Sequence, residues 1–109
     1  MKLLSWKDVA STHRVIAGIY TKNRLPISIL VNQHKDGPYS DQVKKGELIY
    51  VLNKNTQQLG INALLAVVGK PYQVRAFEKV DTNKWLDLGN WKAEDVIQGK
   101  DDIQIRFVK

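Results

Sequence analysis

Two tyrosines stand out by their setting. Tyr39 lies in the most polar stretch of the chain, His34-Lys35-Asp36-Gly37-Pro38-Tyr39-Ser40-Asp41, with Gln42 following it, and Tyr50 lies late in the apolar run Glu47-Leu48-Ile49-Tyr50-Val51-Leu52. Two aromatic faces with a short carboxylate or amide beside them could make a slot for a planar ring. A base turned out of a nucleic-acid helix needs such a slot, because aromatic faces replace its lost stacking and a polar side chain reads its edge. The same tyrosines also suit a plainer arrangement, in which Tyr50 packs in the core and Tyr39 covers a loop.

Other chemistry has less to work with. His13 and His34 are the only imidazoles and there is no cysteine, which excludes thiolate nucleophiles, disulfides and cysteine-bound zinc. No His-Glu-x-x-His, Gly-x-Ser-x-Gly, phosphate-loop or dinucleotide glycine pattern occurs. A metal-dependent nuclease could draw on Asp41, Glu47, Glu78 and Lys79, Glu78 standing at a strand end where metal-binding acids are often placed. That spacing is loose, and solvated strand-end charges account for the same residues, so neither a catalytic residue nor a metal or cofactor is expected.

Seventeen Lys and Arg against eleven Asp and Glu leave a formal charge of +6 over 109 residues. The balance suits a phosphate-binding face and equally a solvated surface with spare lysines. Length and an apolar fraction of 43% fit one core, so residues 1–109 are expected to form a single domain. No run approaches the roughly 18 apolar residues of a membrane span, and Met1-Lys2-Leu3-Leu4 is soon followed by Lys7-Asp8. A cytoplasmic setting with no membrane partner is therefore the expectation.

The elements that must position these residues follow from periodicity. Residues 1–10 suit either a short helix or an edge strand. Residues 13–21 and 26–33 are rich in β-branched and aromatic types and predict two strands, joined as a hairpin through Lys22-Asn23-Arg24-Leu25-Pro26. Residues 34–41 predict a loop, with Asp36-Gly37-Pro38 its strongest turn signal, and residues 47–52 a buried strand. Ile61, Leu64, Leu65 and Val68 fall at helical spacing, with Asn55 or Thr56 as the expected cap and Gly69-Lys70-Pro71 as the stop. Residues 72–77 and 103–108 alternate as half-buried strands, residues 85–96 suit a strand pair or a bent strand, and Gln98-Gly99-Lys100-Asp101 makes a turn. The expected fold class is α+β, a β-rich curved sheet or small barrel with one main packed helix.

Spread along nearly the whole chain, several segments resemble the SRA domain (SET- and RING-associated, also called YDG) of the PUA-like superfamily, in a minimal, prokaryotic-type version. His13-Arg14-Val15-Ile16-Ala17-Gly18-Ile19 is similar to the family's His-Arg-Pro-x-x-Ala-Gly-Ile run, and Ser28-Ile29-Leu30-Val31 continues the likeness. Gly37-Pro38-Tyr39-Ser40-Asp41-Gln42-Val43, then Gly46 and Tyr50, resembles the family's Gly-Gly-Tyr-Glu-Asp-Asp segment leading to a glycine and a second tyrosine. Gln58-Leu59, Asn62-Ala63-Leu64 and Gly69-Lys70-Pro71-Tyr72-Gln73-Val74-Arg75 resemble Gln-Leu, Asn-x-Ala-Leu and Gly-x-Pro-Val-Arg-Val. Order and spacing agree together, although Gly46 to Tyr50 is one residue shorter here.

The resemblance implies a noncatalytic DNA-binding module that reads 5-methylcytosine or 5-hydroxymethylcytosine by flipping the base out of duplex DNA, as the recognition part of a modification-dependent restriction system. Its partners would be the modified DNA and a nuclease, separate or fused. Carried onto this sequence, Tyr39 and Tyr50 would stack on the base, and counted from Tyr39 the edge-reading aspartate falls on Gln42, with Asp41 adjacent. Val51 stands where the family has threonine. Ile16, Ala17 and Gly18 would enter the gap left by the base, and Lys22, Arg24, Lys35, Lys44, Lys45 and Lys54 would hold phosphates. The groove-probing loop after the second tyrosine is cut here to residues 53–58. Of the Tyr-Asp-Gly signature Asp87 remains, and Arg75 alternates with core residues as a structural group does. A PUA-like RNA-binding domain on the same barrel is the alternative.

Overall fold

Local turn and cap chemistry sets most of the element boundaries in the computed structural model, which describes residues 2–35 and 39–109. The chain opens with a short helix, α1 (Trp6–Ala10), started by a capping box in which the Ser5 N–H donates to the Asp8 carboxylate at 2.9 Å and the Asp8 N–H donates back to the Ser5 hydroxyl. Strands β1 (Ile19–Lys22) and β2 (Leu25–Val31) form the expected hairpin. Its tip residues Asn23 and Arg24 have φ of 54° and 64°, the two-residue geometry whose twist matches that of the paired strands. Then follow β3 (Gln42–Lys44), β4 (Glu47–Asn53), α2 (Gln58–Val67), β5 (Val74–Asp81), β6 (Lys84–Gln98) and β7 (Asp102–Val108).

All seven strands belong to one sheet of order β1-β2-β5-β6-β7-β4-β3, antiparallel except where β2 runs parallel to β5. The sheet bends along β6, whose residues 84–91 pair with β5 and 92–98 with β7. Gly89 at φ 82° and register shifts at Ala76/Phe77 and Ala93/Asp95 mark the bend, as expected where bulges sharpen strand twist. One core lies within the curve, joining Ile29 and Val31 of β2, Leu48 and Tyr50 of β4, Ile105 and Phe107 of β7, and Ile61, Leu64 and Val67 of α2. A second, smaller cluster of Val9, Phe77 and Trp85 sits beneath α1. The β-rich α+β class and the single main packed helix stand as expected. No helix among the described residues is long and apolar enough to cross a membrane.

Several local expectations are corrected. The strand predicted from residue 13 begins only at Ile19, because the His13 ring bonds the Ala17 carbonyl at 2.6 Å and folds residues 13–18 into a loop. Neither Asn55 nor Thr56 caps α2. The Thr56 hydroxyl donates to Asn53 O and the Asn55 N–H to the Asn53 side chain, so both residues belong to the preceding turn. Gln57 is the cap, at φ 48° and without a side-chain cap bond, since its side-chain oxygen accepts from the Ile19 N–H instead. The short β3 was not foreseen; its residues Gln42-Val43-Lys44 have too few neighbours of strand type to show a period. The Asp36-Gly37-Pro38 turn lies outside the described residues.

Helix α2 approaches β1 at Gly60, where an added Cβ would lie 2.7 Å from Ile19 Cβ and 2.8 Å from its Cγ2. Ile19 Cβ is fixed by the backbone, so no rotamer relieves the contact. Gly60→Ala should therefore destabilise the fold by ~1 kcal/mol or more despite alanine's better helix propensity of ~1 kcal/mol. Urea unfolding reads the difference, and an unchanged or higher midpoint would show that α2 can move outward at no cost.

Candidate functional site

Bending the sheet brings β2 and β4 close, although neither pairs with the other, and one side chain bridges them. Strand β3 reaches only to Gln42, opposite Ile49, so two residues further along β4 the Val51 N–H on that edge has no strand partner. The Asp41 carboxylate takes it, Oδ1 accepting at 2.8 Å, while Oδ2 accepts the N–H of Asn32, just past β2, at 2.8 Å. The Asp41 N–H donates in turn to Asn32 O at 3.2 Å. Asp41 is 2% exposed. Burial pushes its carboxyl above the usual carboxylate range, and the two amides and the Lys35 ammonium pull the other way. The ammonium lies 3.1 Å from Oδ2, donates to Val51 O at 3.3 Å and stands 5.5 Å from the centre of the Tyr50 ring.

Tyr50 makes a second bridge. Its ring is 1% exposed and its hydroxyl donates to Gly18 O at 3.1 Å, the same carbonyl that accepts the Leu30 N–H at 2.7 Å. Burial, with the Asp41 charge adding to it, raises the phenol well above its ordinary value. A Cβ at Gly18 would lie 2.8 Å from that hydroxyl, so a side chain there would push against the bond that Tyr50 makes. Below the loop that ends at Gly18 sits His13, fully buried, with Nδ1 2.7 Å from the Ser28 hydroxyl and Nε2 2.6 Å from Ala17 O. A carbonyl can only accept, so Nε2 carries the proton and the neutral ring's Nδ1 accepts from Ser28. Burial holds the His13 pKa below its ordinary value, against the Ala17 bond. The tethered loop turns Ile16 outward at 91% exposure, the highest of any large apolar side chain among the described residues.

Two comparisons of sequence are empty: no family model matches the chain, and no curated protein matches it. Comparison of structure is not. The chain is similar to the SUVH5 SRA domain in its complex with hemimethylated CG DNA, at a TM-score of 0.79 and 21% identity, over 100% of this chain and 85% of that one. The fold is that of an SRA domain. A second SUVH5 SRA structure, a complex with fully methylated CG DNA, matches at a TM-score of 0.69 and 19% identity, over 94% of this chain and 80% of the other.

Within this SRA fold the sequence-predicted residues divide. Asp41, Tyr50 and Val51 come together with the end of the 16–18 loop. Gln42 pairs with Ile49 and is exposed, while Asp41 falls opposite Tyr50 and Val51. Tyr39 is half-buried at the other end of the site, its hydroxyl accepting from Asn53 Nδ2 at 3.2 Å beside a groove lined by Lys100, Asp101 and Asp102. Lys22 and Arg24 lie at the β1–β2 tip, Lys44 and Lys45 at the β3–β4 turn, and Lys54 after β4, at three separate turns. Lys35 points into the bridge. Among the acids weighed for a nuclease, Glu47 pairs with Arg106 at 2.8 Å and Glu78 accepts from Gln33 at 2.6 Å. Among the described residues no three metal-ligating groups gather. Arg75 forms a two-pronged pair with Asp87 across β5 and β6. Sequence reasoning missed the parts played by His13 and Lys35: the first is a contact within a loop of no period, the second a pairing between segments with no fixed spacing.

Two outcomes test this site. Asp41→Ala leaves two amide donors without a partner and should cost about 2 kcal/mol or more of stability, with Asp41→Asn, which keeps one acceptor, falling between; a loss near zero would mean that the bridge does not hold the seam. His13 has a folded-state pKa below its unfolded value of 6.5, so its contribution is complete above that pH and is lost as pH falls from there toward the folded value. Melting temperatures should drop between about pH 7 and pH 5 more steeply in the parent than in His13→Gln, and parallel profiles would contradict the assignment.

Proposed function

We propose that this chain is a DNA-binding module that reads 5-methylcytosine or 5-hydroxymethylcytosine after the base has left the duplex, and that it performs no chemistry on it. The observation that carries the reading is the buried Asp41 carboxylate, bonded to the Val51 amide and to a Lys35 ammonium that stands over the Tyr50 ring, with the Tyr50 hydroxyl bonded to the end of the loop that exposes Ile16. A carboxylate accepts from the exocyclic amine of cytosine, and an aromatic face replaces the stacking the base gives up. The SRA fold supports the reading, since both similar structures are complexes with methylated CG DNA.

Each remaining part has a role in that scheme. Tyr39, on the segment that leads into Asp41, closes over the second face of the base. Ile16 is an apolar wedge of the kind that enters a base step and lowers the cost of unstacking it. Ala17 and Gly18 fix its height, the first through His13 and the second through Tyr50. Lys22, Arg24, Lys44, Lys45 and Lys54 engage phosphates from three turns, a contribution that carries no sequence information and weakens with salt. The module serves as the recognition part of a restriction system whose nuclease is a separate or fused partner.

The reading predicts tighter binding of a duplex with one modified cytosine than of its plain counterpart across a range of salt, with RNA a weaker competitor. Tyr39→Ala should erase that preference, worth about tenfold or more for a lost base stack of ~1–3 kcal/mol, and keep the salt-sensitive background. Equal binding of plain and modified duplexes by the intact protein at every salt concentration would end the base-reading account.

A further inference from the structure

Lys35 is out of place for a phosphate ligand. Of the six basic side chains assigned to phosphates from sequence, it alone has a side-chain partner among the described residues: its ammonium meets Asp41 Oδ2 at 3.1 Å, Val51 O at 3.3 Å and the face of Tyr50 at 5.5 Å. Those are the three groups that the proposed function gives to a flipped base. An N–H donor shared by a carboxylate and a carbonyl, carried over an aromatic face, is also what the exocyclic amine of cytosine presents.

We propose that Lys35 is the resident occupant of the base slot, and that a base enters only by replacing the lysine's donor to Asp41 with one of its own. The inference rests on the base-reading function and adds a rule of selection to it. Asp41 is buried, and withdrawing the ammonium without a substitute leaves a carboxylate held by two amides alone, at the cost that attends breaking a buried pair. Cytosine restores the donor through its amine. Thymine and uracil present a carbonyl oxygen at that position, which meets the carboxylate with like polarity and leaves the donor missing. Lys35 therefore raises the threshold for every base and lets those with an amine repay it. Once displaced, its side chain, already 30% exposed, is free to reach a phosphate beside the site, which reconciles its position here with the role read from sequence.

The test titrates 5-methyl-2′-deoxycytidine and thymidine into the parent protein, Lys35→Ala and Lys35→Gln, following the Val51 amide and the Tyr50 ring by NMR. Lys35→Gln keeps a neutral donor and serves where truncation to alanine disturbs the fold, which the remaining amide resonances report. The expected result is saturation of those signals at lower 5-methyl-2′-deoxycytidine in both variants than in the parent, roughly tenfold lower for Lys35→Ala and less for Lys35→Gln, which keeps a weaker donor, with thymidine shifting neither signal. Equal shifts in parent and variants, or none in any, would overturn the role of Lys35. Modified and plain duplexes measured alongside separate the two ideas. A parent that prefers modified DNA without a nucleoside gain in the variants sinks the Lys35 proposal alone. A nucleoside gain in the variants without duplex preference in the parent sinks the DNA-reading function and leaves Lys35 as the occupant of the slot.

Discussion

A buried carboxylate governs this molecule. Asp41 bonds two backbone amides that belong to strands the sheet itself does not pair, Asn32 beyond β2 and Val51 on β4. Without an acceptor there, the Asn32 and Val51 amides would have no partner at the seam, and buried unpaired amides are costly. The carboxylate in turn demands compensation, because burial raises the energy of its charged form. Two amides and the Lys35 ammonium supply it. A charge placed at the seam thus calls for a cation or donor beside it, and Lys35 meets that need from over the Tyr50 ring.

The outer parts of the site depend on the same seam. The 13–18 loop is anchored at one end by the His13 bonds to Ser28 and Ala17 and at the other by Gly18 O, which serves both Leu30 and Tyr50. Between fixed ends the loop exposes residues 14–17, and of its apolar side chains Ile16 stands out furthest, at 91% exposure. An apolar group presented in this way is poorly placed for stability and well placed to enter a partner. Rigidity beneath and exposure above is the combination that a preorganised reading site requires.

How much of this was legible in the sequence follows from range. Residues 58–67 announced a helix through a period that needs only near neighbours, and the strand hairpin at residues 19–31 was carried by β-branched content and a short polar turn. Residues 13–18 looked like more strand because the strand formers Val15 and Ile16 run on into Ile19; the competing signal was a single buried histidine whose partner lies four residues away. The helix cap was misplaced because Gln57 spends its side chain on β1, a contact between distant segments. The edge-reading position was counted from Tyr39 onto Gln42, with Asp41 adjacent, and it is Asp41 that meets the Val51 amide while Gln42 lies opposite Ile49. The segments that resembled the SRA family hold His13, Ala17, Gly18, Asp41, Tyr50 and Gly69, several of them the residues that join strands or tether the loop. That is why a likeness in a few places accompanies similarity of fold over the full chain at 21% identity.

Where a base sits on this protein is read from a crystal structure of its complex with a duplex carrying one 5-methylcytosine. The modified base is expected outside the helix, its ring on Tyr50 and its amine within hydrogen-bond distance of Asp41, with Ile16 in the vacated step and Lys35 withdrawn toward the backbone. A modified base still stacked in the duplex, with Lys35 still bridging Asp41 and Val51, would contradict it.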